Sequence, residues 1–380
     1  MYDDNDELYI RNINNMKLEC KAEDLRSRIS QVEKITGKNL TLPVLNSILL
    51  VASGKYLKLR STNLSLGVEI EIPAKIEKEG IVAISGSTLN GVFSNIFQNE
   101  NVYLESTDGN LLIQTKKSKI RLKGQLYDDF PTIPKVTGID FEIESKKLID
   151  GIKSVYYSSS ISDIKPEISS VFIYTNESNL VFVSTDQFRL AEKKIKAKGL
   201  PEITGILIPY KNIGEILRIF GESPSIIKVC FNKNQISFSS GNIYLTSRVI
   251  DGVFPDYRQI IPKTSGTSAT VLKQDLINAL KISNIFSDKF NQVNLKILPK
   301  EKVFELSSSN NDIGENRTHL DAAITGENIE LGFNYKYFLD SFQSISTDSI
   351  SIKFSGALSP LVISPVSDNS FLYLIMPMNR

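Results

Sequence analysis

Apolar residues along this chain switch between two spacings, and they do so three times in the same order. Alternation at every second position marks Lys17–Cys20, Asp140–Ile143 and Ser268–Leu272, the spacing of a strand with one buried face. A helical face follows each: Leu25, Ile29 and Val32; Leu148, Ile152 and Val155; Leu276, Leu280 and Ser283. All step 0, 4, 7. A second helical face comes later in each cycle, at Leu89, Val92, Phe93 and Ile96, at Ile213, Ile216, Leu217 and Phe220, and at Tyr335, Phe338, Leu339 and Phe342. A strand pattern follows each of these helices at once: Val102–Glu105, Ile226–Phe231 and Ser349–Phe354. Further alternating runs, such as Tyr56–Arg60, Val171–Tyr174 and Val303–Leu306, are separated by Gly and Asn turns.

The cycle is a written repeat. Asp129-Phe130-Pro131 with Ile133-Pro134 returns as Phe254-Pro255-Asp256 with Ile261-Pro262, and Phe254 lies 124 positions beyond Phe130. That is too long for a solenoid unit of about 20–50 residues, so the copied object is a small domain. The pattern predicts an α+β chain of three tandem copies, each of two helices and antiparallel sheets, because most links are too short for crossover helices. The expected division is an extension at 1–15, then domains 16–137, 138–264 and 265–380, with linkers near Thr137–Gly138 and Thr264–Thr267.

Composition narrows the class. The chain of 380 residues is 41% hydrophobic and 23% charged, with formal net charge +1, ordinary for a globular protein. No run approaches the 18 or more apolar residues of a membrane span. Residues 1–15 are polar and acidic, unlike a signal peptide, and Met16 reads as a natural start. Two cysteines, Cys20 and Cys230, both in strand-like runs, suggest packing roles in a reducing, cytoplasmic setting.

The cations fall off the apolar stripes of the helices. The first helices carry Arg26, Arg28 and Lys34, then Lys146, Lys147 and Lys153, then Lys273 and Lys281, and the second helices add Lys211, Arg218 and Lys336. They read either as solvated faces or as one surface for phosphate. Six helices in a circle leave a hole of only about 10 Å, and twelve leave roughly 25 Å. Encircling duplex DNA would therefore need two chains, head to tail.

Catalysis has little to stand on. His319 is the only histidine, which removes most acid–base and triad schemes. No zinc spacing, phosphate-binding loop or dinucleotide turn is present, so no metal or cofactor is expected. Asp128-Asp129 reads as a turn before Phe130-Pro131 rather than a metal pair.

Specific segments then carry a resemblance. Thr41-Leu42-Pro43-Val44-Leu45, Ser184-Thr185-Asp186-Gln187-Phe188-Arg189-Leu190-Ala191, the run Ser247–Arg258, Gly332-Phe333-Asn334 and the tail Met376-Pro377-Met378 together resemble the bacterial DNA polymerase III β subunit family, the sliding clamps, from Met16 to Arg380. The resemblance implies a homodimeric ring of six domains that surrounds duplex DNA without reading its sequence. Its partners would be the clamp loader, DNA polymerases and repair proteins, bound through short peptides. It implies a peptide groove at Thr185, Arg189, Leu190, Pro255, Ile260, Asn334, Tyr337, Leu374, Ile375, Met376, Pro377 and Met378, with Ile168, Leu358 and Pro360 as walls. Arg189 would hold a partner backbone or carboxylate. At the dimer seam it sets Lys116, Lys117, Lys119 and Arg121 against Asp312 and Glu315, with Ile285 and Phe286 as apolar contacts. The chain departs from the family at Gln187-Phe188, where Gly-His is usual, at Gln259 and Asn379, where arginines are common, and at Pro166-Glu167, where tyrosines stand. A peptide-binding adaptor without a ring is the competing reading.

Overall fold

The computed structural model of the chain describes residues 15–37, 41–96, 100–221 and 225–378; of the expected extension 1–15, all but Asn15 lies outside these, as does Asn379. Every predicted helix forms. The first helices are Ala22–Glu33, Ser145–Lys153 and Lys273–Ile285, and the second are Gly86–Asn95, Tyr210–Phe220 and Tyr335–Ser341. The 0, 4, 7 positions are buried in all three repeats, although Val155 lies two residues past the end of its helix, because that spacing keeps one stripe toward the sheet. In the second helices Val92, Leu217 and Leu339 are only half-buried, while the other positions are buried. Ser85 and Asn334 cap two of the second helices by accepting from the Thr88 and Lys336 backbone N–H groups.

The chain divides into two compact units, and their boundaries cut through the middle repeat. The first holds residues up to Ser145 together with Gly214–Val249; the second holds Lys146–Ile213 and Ile250–Arg380. Each unit contains one long sheet and one short one.

In the first unit the long sheet has eight strands, in the order Ile139–Glu144, Ile226–Phe231, Gln235–Ser240, Ile243–Arg248, Leu66–Pro73, Tyr56–Thr62, Ser47–Ser53 and Gly80–Ser85. Four strands of the second repeat are therefore continuous with four of the first. The junction is the ladder of Ser247 to Leu66, Thr246 to Gly67 and Leu245 to Val68. The short sheet runs Lys75–Lys78, Lys17–Lys21, Asn101–Thr107, Asn110–Gln114 and Lys119–Leu122.

The second unit repeats the plan. Its long sheet orders nine strands as Ile206–Pro209, Ser170–Asn176, Asn179–Thr185, Arg189–Lys196, Phe371–Ile375, Leu361–Pro365, Ser349–Phe354, Thr267–Leu272 and Ala322–Gly326. Here the third repeat meets the second, with Ile375 opposite Arg189 and Leu374 opposite Leu190. The short sheet runs Gly314–His319, Val303–Asn310, Gln292–Leu298 and Ile329–Asn334. All the pairings between these strands are antiparallel.

This arithmetic leaves two edges over. Ile243–Arg248 and Phe371–Ile375 are equivalent strands of successive repeats, and each finds a neighbour in the preceding repeat. Their counterpart in the first repeat, Lys119–Leu122, ends its sheet. Leu66–Pro73 and Arg189–Lys196 likewise have a counterpart in Gly314–His319, which also ends its sheet. Each spare edge matches what the other lacks.

Candidate peptide groove and seam

The groove residues gather around the ends of the paired strands Arg189–Lys196 and Phe371–Ile375, and the pleat divides them between two faces. On one face, Leu190 and Leu374 join Tyr174, Val362, Phe254 and Tyr257 in a buried cluster. Pro255 and the 3₁₀ turn Tyr257–Ile260 adjoin it, with Ile260 half-exposed at 49%. A buried network fixes that turn: the Tyr257 hydroxyl donates to Glu192, Tyr174 and Tyr257 hydroxyls lie 2.8 Å apart, and Arg258 Nη2 donates to the Tyr174 hydroxyl at 2.7 Å. Burial, then the Glu192 carboxylate, push the Tyr257 phenol well above its ordinary range.

On the opposite face lie Arg189, Tyr337 and Asn334. Arg189 Nε donates to Asp186 Oδ2 at 2.9 Å, Nη1 donates to Asp340, and the guanidinium lies 4.6 Å from the Tyr337 ring centroid. Burial works against its charge, but Tyr373, Asp340 and Asp186 more than offset this and hold it protonated. Arg189, expected to hold a partner backbone or carboxylate, is here bound by two carboxylates of its own chain. Asp340 was missed in the sequence, although it stands three residues after Tyr337 on one helix face.

Two segments join the faces. The loop Asp186–Phe188 turns on the Asp186 carboxylate, which accepts from the Phe188 and Arg189 N–H groups at 3.0 Å each. Gln187 there has φ 80°, the left-handed conformation that glycine adopts at no steric cost. The tail docks across it: Met376 N–H donates to Phe188 O, and Met378 N–H donates to Gly332 O, each at 2.8 Å. An apolar chain end needs such an anchor.

Several expected groove residues are core. Ile168, Thr185, Leu190, Pro360, Leu374 and Ile375 are buried, and Ile375 points to the face opposite Leu374. The exposed apolar surface comes instead from Leu358 at 82% and Phe188 at 61%, with Met376, Pro377 and Met378 half-buried.

At the expected seam, Lys116, Lys117, Lys119 and Arg121 are exposed on and before the spare edge Lys119–Leu122. Beside that edge a cavity of about 490 Å³ is lined by Val92, Ile96 and Ile120. On the other spare edge Glu315 is exposed, and Asp312 lies in the preceding turn. Ile285 is 60% exposed at the end of its helix, while Phe286 is half-buried against Gly314. Two further exposed isoleucines, Ile282 and Ile313, escaped the sequence reading; Ile282 shares the helix face of Ile285.

The basic helix residues differ in freedom. Lys34, Lys146, Lys153, Lys281 and Lys336 are exposed, and Arg26, Arg28 and Lys147 are half-buried. Arg218 is spent on Glu215 and on the Gln31 carbonyl at 2.6 Å, Lys273 on the Ile345 carbonyl at 2.7 Å, and Lys211 on Asp163. Asp128 and Asp129 form a turn, closed by Phe130 N–H donating to Tyr127 O at 2.9 Å. Among the described residues no group of three or more His, Cys, Asp or Glu could hold a metal ion, and no helix is long and apolar enough to cross a membrane.

Comparison with solved structures defines the class: the fold is that of the sliding clamps. The Bacillus subtilis DNA polymerase sliding clamp superposes with a TM-score of 0.92 at 24% identity, covering 96% of this chain and 100% of that one. The Thermotoga maritima DNA polymerase III beta subunit gives 0.89 at 25% identity with the same coverage. Family models for the N-terminal, central and C-terminal domains of the DNA polymerase III beta subunit match residues 16–134, 142–256 and 258–379. The chain belongs to the DNA polymerase III beta subunit family. A Synechococcus elongatus relative named beta sliding clamp is 27% identical over 95% of this chain and 99% of its own length, and a Staphylococcus aureus one is 26% identical with the same coverage.

Proposed function

We propose that this chain is a DNA sliding clamp, a non-catalytic processivity factor that closes as a homodimer around duplex DNA in the cytoplasm. The pair of spare, mutually matching sheet edges carries this reading. Within one chain each repeat hands an edge to the next, so Lys119–Leu122 of one copy would pair with Gly314–His319 of the other. Repeated at both ends, this gives a closed two-fold ring of six domains, divided at 16–137, 138–264 and 265–380. An exposed edge is a hazard unless something covers it, and a second copy covers both. Ile285 with Ile282 would enter the cavity at Val92 and Ile120, while Lys119 and Arg121 would face Glu315.

The exposed helix cations, Lys34, Lys146, Lys153, Lys281 and Lys336, would hold the phosphate backbone weakly and without sequence preference. Clamp loader, polymerases and repair proteins would dock short extended peptides across Leu358, Ile260, Phe188 and the Met376–Met378 tail. Methionines and aliphatics make an adaptable surface suited to several partners. A peptide adaptor without a ring would account for the groove and leave both spare edges unexplained.

Retention on DNA tests the proposal. Loaded onto a nicked circle, the protein should stay, and it should leave within seconds to minutes when the circle is cut. Equal loss rates from circular and linear DNA would refute encirclement.

A further inference from the structure

The junction between the first and second repeats carries a second copy of the groove's architecture. Ser61-Thr62-Asn63-Leu64-Ser65-Leu66 stands where Ser184-Thr185-Asp186-Gln187-Phe188-Arg189 stands one repeat later. The two loops are held by the same bonds. Thr62 Oγ1 donates to Leu66 O at 2.9 Å, as Thr185 Oγ1 does to Arg189 O at 2.7 Å. Asn63 Oδ1 accepts from the Ser65 and Leu66 N–H groups, as Asp186 Oδ1 does from Phe188 and Arg189. Leu64 has φ 73° where Gln187 has 80°. Arg248 N–H donates to Ser65 O at 2.8 Å, as Met376 N–H does to Phe188 O.

The copy is open. A cavity of about 250 Å³ lies there, lined by Thr62, Leu64, Leu66, Ile133, Pro134 and Arg248. Leu64 is 43% exposed in a backbone conformation unfavourable for leucine, so the loop presents an aliphatic side chain at a local cost. Two differences define the occupant. The segment from Pro131 to Ile133 is four residues shorter than that from Pro255 to Ile261, so no turn like Tyr257–Ile260 extends the wall. Gly67 replaces Leu190 and lets Ile133 close the floor; a Cβ at Gly67 would lie 3.2 Å from Ile133 Cγ2. The space suits one aliphatic side chain. At the rim, Arg248 replaces Met376, and among the described residues its exposed guanidinium has no carboxylate partner.

We propose that this junction is a second docking site on each chain, for a short extended peptide that places one leucine-sized side chain in the cavity and an acidic residue on Arg248. The inference builds on the groove reading, since it extends the same recognition mode to an equivalent place, but its test separates the two.

The probe is acetyl-Asp-Leu-Asp-Leu-Asp-amide with a photoreactive diazirine leucine at both apolar positions, so that whichever leucine enters has a carboxylate on each side. It is irradiated with the full chain, and adducts are located by peptide mapping. Adducts are expected on 62–66 or 131–134, reduced roughly tenfold by Arg248→Glu and by Asn in place of Asp in the probe, and unchanged by Met376→Ala. Adducts confined to Pro255–Ile260 and Leu374–Met378 would overturn the second site and leave the groove standing. Adducts at the first junction alone would uphold the second site against the groove. No adducts at the first junction, or adducts there indifferent to Arg248→Glu, also overturn it.

Discussion

The Arg189 guanidinium carbon sits 4.6 Å from the Tyr337 ring centroid, while Asp186 and Asp340 bind the same guanidinium. A planar cation with several fixed donors can do all three at once; lysine cannot. Arg189→Ala should strip the counterion from both carboxylates and release the loop that carries Phe188. We expect a loss of roughly 1–3 kcal/mol in stability and about a tenfold loss in partner-peptide affinity, with Arg189→Lys intermediate and the dimer intact in both. Thermal unfolding, peptide anisotropy and sedimentation read the three quantities. Peptide affinity unchanged in Arg189→Ala would remove this face from the groove.

Gln187 offers a gain. Its φ of 80° costs a non-glycine residue about 1 kcal/mol, partly offset in a glycine variant by added unfolded-state entropy. Gln187→Gly should raise the thermal midpoint by about 1–3 °C, and Gln187→Val, β-branched at the same φ, should lower it. A midpoint that falls in the glycine variant would mean the Gln187 side chain contributes more than its backbone loses.

Glu69 gives the first junction a dependence on pH. It is buried between Arg60, whose Nε is 2.6 Å from Oε2, and Lys135, whose Nζ is 3.1 Å from Oε1. Burial alone would raise its carboxyl, but Arg60, Lys135 and Lys58 outweigh that and hold it below the ordinary carboxylate range. A depressed carboxyl stabilises the fold above its unfolded value of about 4.3 and loses that contribution as pH falls through the folded one. Glu69→Gln should therefore melt well below the parent at pH 7, with the gap closing below about pH 4. A gap independent of pH would show that packing, not charge, holds this site.

Ile285 tests the seam. It is exposed within one chain, so Ile285→Asp should cost the folded subunit under about 0.5 kcal/mol, while a buried charge at the proposed contact would split the dimer. Sedimentation at micromolar concentration should report a monomer with unchanged circular dichroism. A dimer as strong as the parent would move the seam elsewhere.

Local rules carried most of this fold. The helical stripe at Leu25, Ile29 and Val32 and the alternation at Lys17–Cys20 each encode burial within a few residues, and both are realised as read. The pairing of strands was not legible: nothing between Ile243 and Arg248 announces Leu66–Pro73 as the neighbour, because that choice is made across more than a hundred positions. The groove was legible as a list and not as a surface. Leu190 and Leu358 look alike in the sequence, yet the first lies on a central strand within the core and the second in a turn before an edge of the cluster. Arg189 looked free because its second carboxylate, Asp340, arrives from a distant helix.

The hydrogen bond from Met378 to Gly332 has a practical side. A fluorophore or affinity handle carried just after Met378 would sit at that anchor, beside the proposed groove. If partner peptides bind at the proposed groove, immobilising the protein through this segment should weaken them, and a tether placed elsewhere should not.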